Sequence, residues 1–203
     1  MTAGANTIAN NTIGSTTTAN SLNAPTSVAD TGVQQVTGIL SSSTGSASIA
    51  GNTVANLNNN TIATLGASRV FGITTSAGLN TISGNTVRNF STTSRASGIT
   101  AMGIEQISTT AGQTVSQNAV HSLGNTSATS GVVVVGIYYA GSTTSGPNII
   151  ARNLVHSLSV ASSDTLARVI GMAFDTGTFT AQNNMVSVGL TASGASMPGT
   201  GGG

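Results

Sequence analysis

The chain has 203 residues, enough for one domain with a buried core, and a mean hydropathy of +0.22 sets it apart from disordered chains. Only 4% of the residues are charged, with no lysine, no cysteine and a formal net charge of +1. That balance excludes the basic patch of a nucleic-acid binder, a polybasic membrane-surface segment, disulfides, thiolate zinc sites and thiol catalysis. The longest apolar run, around Val132 to Val135, falls far short of the ~18 residues of a membrane helix, and MTAGANTIANN has neither the charged nor the apolar region of a signal peptide.

Taken from the N-terminus, the chain repeats itself. A degenerate copy of the motif I-x-x-N-x-V falls at Ile8, Asn11 and Ile13, and an irregular, insertion-like stretch follows from Ser15 to Gly32. A second motif, apolar-x-Gly-apolar, then starts with VTGI at Gly38. From there the two alternate. Ile49, Asn52, Val54 and Leu57 precede VFGI at Gly72; Ile82, Asn85, Val87 and Phe90 precede AMGI at Gly103. Val115, Asn118, Val120 and Leu123 precede VVGI at Gly136; Ile150, Asn153, Val155 and Leu158 precede VIGM at Gly171. A weaker last copy is Ala181, Asn184 and Val186. The asparagines at 52, 85, 118, 153 and 184 are 33, 33, 35 and 31 residues apart, and 41 separate Asn11 from Asn52. Each apolar-Gly motif is followed by a Ser/Thr-rich stretch and a further glycine: Gly45, Gly78, Gly112, Gly146 and Gly177.

Helical repeats of this length need long 3.6-residue periodicity rich in Ala, Leu, Glu and Lys. Here β-branched residues are broken every few positions by Gly, Ser or Asn, which are strand and turn residues. The expected fold is all-β: a parallel β-solenoid of about six coils of ~33 residues, one domain over 1–195 with a flexible Gly-rich tail at 196–203. In such a coil the Ile and Val of the first motif point inward, and Asn52, Asn85, Asn118, Asn153 and Asn184 stack at a bend into an amide ladder, Asn being tolerant of a left-handed backbone. The column Gly38, Gly72, Gly103, Gly136 and Gly171 implies a bulge or the close approach of another backbone. Phe71/Ile73, Met102/Ile104, Val135/Ile137 and Ile170/Met172 are the expected core of that strand.

Segments such as NTISGNTVRNF (Asn80 to Phe90) and SIAGNTVANL (Ser48 to Leu57) resemble the bacterial right-handed parallel β-helix proteins of pectate-lyase-like architecture, and within them the repeat-rich surface and adhesin-type proteins. The resemblance spans nearly the whole chain and implies a right-handed coil, but its motifs carry fold and not function.

Chemistry-bearing residues are few. Asp164 and Asp175 are the only carboxylates close enough in sequence to form a glycosidase-like pair, and turn roles suit both better; Glu105 is expected in solvent. The residue after the core Val is Ala55, Arg88, His121 and His156 in successive repeats, an outer-face column with two histidines and an arginine. It lacks a third metal-ligand type, and Arg88 disfavours a bound cation. Of Tyr138 and Tyr139, one is expected in the core. No catalytic residue, cofactor or metal site is expected, and GTGGG at Gly199 to Gly203 is a tail and not a phosphate cradle.

The leading expectation is a structural repeat segment of an extracellular bacterial surface, adhesin or fibre-forming protein. It would self-associate into oligomers or filaments by end-to-end stacking, because solenoid ends expose unpaired strand edges. An ice-binding solenoid is a second reading, with Thr75, Thr109, Thr143 and Thr176 as its array. A carbohydrate-binding or carbohydrate-active β-helix is a third, with Tyr138, Tyr139, His121 and His156 along a groove that binds glycans.

Overall fold

A computed structural model describes residues 4–24, 33–62, 68–144 and 146–189. The expected tail at 196–203 and the far part of the insertion-like stretch, from residue 25 onward, lie outside the described residues. The described chain is β-structure throughout, with no helix, and winds through three parallel sheets that run the length of a solenoid.

In each coil the chain passes once through every sheet. The first sheet stacks Asn6–Ala9, Ser46–Ala50, Leu79–Ser83, Thr114–Ser116, Ile149–Ala151 and Thr180–Gln182. The second stacks Thr12–Ile13 and Leu22–Ala24, Thr53–Ala55 and Leu57–Asn59, then Thr86–Thr92, Ala119–Asn125, Leu154–Val160 and Met185–Ser187. The third stacks Gln35–Ser41, Arg69–Thr75, Gly98–Gln106, Val132–Ala140 and Arg168–Thr176. Every coil lies in register on the next, so Ile49 pairs with Ile82 and Val87 with Val120. About five turns close, one fewer than the repeat count, because among the described residues the last copy supplies strands to two sheets only.

The core is built of apolar columns from all three sheets, meeting on the axis. Ile49, Ile82, Val115 and Ile150 come from the first sheet; Val54, Val87, Val120 and Val155 with Leu57, Phe90, Leu123 and Leu158 come from the second. The third contributes Val70, Ala101 and Val134, and then Ile39, Ile73, Ile104 and Ile137. Burying each of the larger side chains stabilises the coil by roughly 1.5–3 kcal/mol.

The third sheet departs from expectation in one respect. Ile73, Ile104 and Ile137 line the axial core, with Met172 packed against it; Phe71, Met102 and Val135 are buried as expected, but in a separate core cluster with Ile170 packed against it. The inward place falls to the residue before each of them. Strand alternation explains this: Val70 inward sends Phe71 to the other side, and the strand then bends at Gly72, so Ile73 turns inward again.

Those glycines tie the two sequence motifs together. A Cβ on Gly136 would lie 2.4 Å from Val155 Cγ1 and 2.5 Å from the Gly171 carbonyl oxygen. Gly38, Gly72 and Gly103 meet Val54, Val87 and Val120, and the next glycine carbonyl, in the same way. The valine methyl of one motif fills the place where the other has no side chain, so packing locks the two in phase.

The first bend is also revised. The left-handed residue is the one before the ladder Asn: Asn10, Gly51, Gly84, Gln117, Arg152 and Asn183 all have φ between 53° and 64°. A second left-handed column, Asn56, Asn89, Ser122 and Ser157, bends the second-sheet segment between its core Val and its core Leu or Phe. Non-glycine residues in this region cost of order 1 kcal/mol each, which the coil-to-coil hydrogen bonds around them offset.

Candidate functional site

The asparagine ladder forms with one rung more than expected. Asn11, Asn52, Asn85, Asn118, Asn153 and Asn184 run in line, and each internal member makes the same contacts. Asn85 Nδ2 donates to Asn118 Oδ1 at 2.9 Å and to the Ile49 carbonyl at 2.9 Å, while its backbone N–H also donates to Asn118 Oδ1, at 3.0 Å. The amide thus closes the bend of its own coil onto the coils on both sides. It is a structural seam, directional along the axis: from Asn to Asn the backbone N–H and one amide hydrogen donate towards the C-terminal end and Oδ1 accepts from the N-terminal side, while the second amide hydrogen turns back to a carbonyl of the preceding coil.

A second amide seam was not anticipated. Asn80, Gln113 and Asn148 are fully or almost fully buried at the corner leading from the third sheet to the first. The Asn80 N–H donates to Gln113 Oε1 at 2.9 Å, and the Gln113 N–H to Asn148 Oδ1 at 3.0 Å. Its signal lay in the sequence: Asn6, Asn80, Gln113 and Asn148 each stand five positions before a ladder Asn. Ala47 interrupts that pattern, which hides it.

On the outer side of the second sheet, Ala55, Arg88, His121 and His156 occupy successive rungs as the repeat implied. The two imidazoles stack, with centroids 4.7 Å apart and planes 4° from parallel. Each bonds through Nδ1 to the hydroxyl of the following residue, Ser122 at 3.1 Å and Ser157 at 2.8 Å. Parallel rings held this way direct their remaining nitrogens side by side, and not towards one ion. Burial, then the neighbouring His156 and Arg88, push the His121 pKa down, favouring the neutral ring. Arg88 turns away to the Thr16 carbonyl at 3.0 Å, in the stretch that loops out between Ile13 and Leu22.

The acids are dispersed. Asp164 Oδ1 accepts the Leu166 N–H at 2.8 Å, a turn role, and Asp175 Oδ2 accepts the Tyr138 hydroxyl at 2.9 Å, so the two do not meet as a pair. Glu105, expected in solvent, is half-buried beside Tyr138 in the third sheet; burial pushes its pKa up against the opposing pull of Thr74 and Arg69. Tyr139 is fully buried in the core and Tyr138 faces outward, while the histidines lie on the second sheet. The structure therefore does not bring the four side chains of the carbohydrate reading together. Nor do Thr75, Thr109, Thr143 and Thr176 form one array: Thr75 is buried and donates to Gln106 Oε1 at 3.1 Å, whereas the other three are exposed.

Among the described residues, no group of three or more His, Asp or Glu side chains is placed to hold a metal ion. A shallow cavity of about 380 Å³ lies over Ile62, Thr93, Arg95, Thr126 and Thr129; its one charged side chain, Arg95, has no acid beside it. Geometry and chemistry together define the chain as a parallel β-solenoid whose most developed polar features are structural seams. No family model, curated protein or solved structure matches it.

Proposed function

We propose that the chain is a structural rod segment of an extracellular surface, adhesin or fibre-forming protein of bacterial type, self-associating through its ends. The observation that carries this reading is the axial continuity of the seams. The six-rung ladder runs unbroken from Asn11 to Asn184, and each coil is held almost wholly by the coils directly above and below it. Such a quasi-one-dimensional body extends by adding coils and needs nothing lateral for its stability. Its Ser-, Thr- and Asn-rich composition with few charges suits a scaffold hydrated by hydroxyls and amides.

The described ends support the self-associating part. At the C-terminal end Val186 is 44% exposed although its column-mates in the interior are fully buried, and Met185 and Val188 are exposed too. Sedimentation velocity of the purified chain over a hundredfold concentration range, with electron microscopy of the same samples, tests the reading. Concentration-dependent growth into rods of uniform width is expected. A single small species at every concentration overturns the self-associating scaffold.

A further inference from the structure

Resting on that reading, we infer that the chain's partner is a second copy of itself, docked head to tail, with Asn184 of one chain donating to Asn11 of the next. The two ends differ in hydrogen-bonding sense. In every internal step the N–H and Nδ2 of one Asn donate to the Oδ1 of the Asn one coil further on, as from Asn118 to Asn153 at 3.0 Å each. At the C-terminal end the Asn184 Nδ2 donates back to the Ile150 carbonyl at 2.8 Å, and its backbone N–H and second amide hydrogen have no acceptor among the described residues. At the N-terminal end Asn11 Oδ1 has no donor among the described residues, although the Asn11 nitrogens are engaged with Asn52. Donors stand unpaired at one end and their acceptor at the other.

The apolar columns match in the same register. Ala181 and Val186 occupy the core positions of the last coil, and Ile8 and Ile13 those of the first. Laying the first coil of one chain on the last coil of another sets Ile8 over Ala181 and Ile13 over Val186, and pairs Asn6–Ala9 with Thr180–Gln182 and Thr12–Ile13 with Met185–Ser187. Among the described residues the third sheet has one strand fewer than the first, so on that side Arg168–Thr176 stands one strand's width from the next copy's Gln35–Ser41. Two sheets, the aliphatic core and the ladder therefore continue across the joint. Because the surfaces joined are different, the contact is heterologous and does not close on itself, which yields linear chains and not discrete dimers.

The absence of cysteine makes the test clean. In the second sheet Thr12 and Met185 hold equivalent outward places in the first and last coils, and both are exposed in the isolated chain. Across the joint their Cα atoms would stand about 4.8 Å apart, one coil spacing and within disulfide range. The full-length chain carrying both Thr12→Cys and Met185→Cys is expected to give, after mild oxidation, a ladder of multimers on a non-reducing gel that collapses to monomer on reduction. Each single variant is expected to stay mostly monomeric, since head-to-tail docking never brings two identical positions together. Efficient dimer formation by either single variant, or no ladder from the double one, overturns this docking. Wild-type sedimentation separates the two failures: rods without the double-cysteine ladder leave the scaffold reading standing and remove this joint, whereas a monomeric wild type removes both. Circular dichroism matching the wild type shows that the cysteine variants fold, and these exposed positions carry no core contact to lose.

Discussion

Replacing Asn118 by alanine probes the ladder in its buried interior. The side chain is 1% exposed and sits between the Asn85 and Asn153 rungs. Its loss removes the donor to the Ile82 carbonyl at 2.9 Å, leaves the Asn85 backbone N–H without its acceptor at 3.0 Å, and takes one of two acceptors from Asn85 Nδ2. Asn153 Oδ1 keeps the Asn118 backbone N–H at 3.0 Å, so that group is not orphaned. Each buried group stripped of its partner costs about 1–3 kcal/mol, and a bond removed from a group that keeps another costs less. The expected loss is about 3–4 kcal/mol, read as a lower urea midpoint at unchanged slope by circular dichroism. The end rung is the control. Asn184 is only half-buried, water replaces its amide, and Asn184→Ala is expected to cost about 1 kcal/mol. A third variant, Asn118→Asp, keeps the acceptor but turns an oxygen towards the Ile82 carbonyl and Asn153 Oδ1. Its folded-state pKa must rise, so its deficit should shrink as pH falls towards 4. If Asn118→Ala costs under about 1 kcal/mol, or no more than Asn184→Ala, the ladder is not what holds the coils together.

Other expectations follow from the same geometry. Gly136→Ala would force a methyl against Val155 Cγ1 and the Gly171 carbonyl; a loss of about 2–3 kcal/mol is expected, partly restored when Val155→Ala is added, and an additive double mutant would sink the coupling of the two motifs. Because His121 has a lowered folded-state pKa, the stability tied to its neutral ring is complete above the unfolded value near 6.5 and falls as pH drops through it. His121→Asn should flatten the urea-midpoint curve between pH 7.5 and 5. Glu105 has the opposite sense: its raised folded-state pKa makes the charged carboxylate a destabilising group above about pH 4.5, so Glu105→Gln should raise the midpoint at pH 7 and leave it unchanged near pH 4.

The solenoid was legible because its signal is repeated. Two motifs in one phase place Ile82 on Ile49 and Val120 on Val87 without any knowledge of the strands between them, and the structure pairs those residues. The outer column was legible for the same reason, since Arg88, His121 and His156 follow the core Val at a fixed offset. What escaped depends on direction within a strand. A glycine at which the strand bends cannot be distinguished by spacing from one that leaves alternation intact, so spacing shows Phe71 and Met102 to be core but not that they bury in a cluster of their own while Val70 and Ala101 line the axis. The inner amide seam escaped because Gln113 and Asn148 differ in type and Ala47 breaks the column, although burial makes them equivalent. Glu105 escaped because exposure of an outward residue depends on its neighbours in the coils above and below, here Thr74 and Tyr138.

The same repetition makes the ends the least determined part of the molecule. An interior Val such as Val120 or Val155 is fully buried because a coil lies on each side of it; Val186, in the same column, is 44% exposed because a coil lies on one side only. Nearest-neighbour stabilisation therefore falls by about half at each terminal coil, while the conformational entropy lost in ordering that coil does not. Amides near Thr180–Gln182 and Met185–Ser187 should accordingly exchange faster than those of Thr114–Ser116 and Ala119–Asn125 in the monomer. Assembly through the ends converts each terminal coil into an interior one. Exchange at both terminal strands should then slow together as concentration rises, whereas slowing at only one end would mean that a different surface covers it.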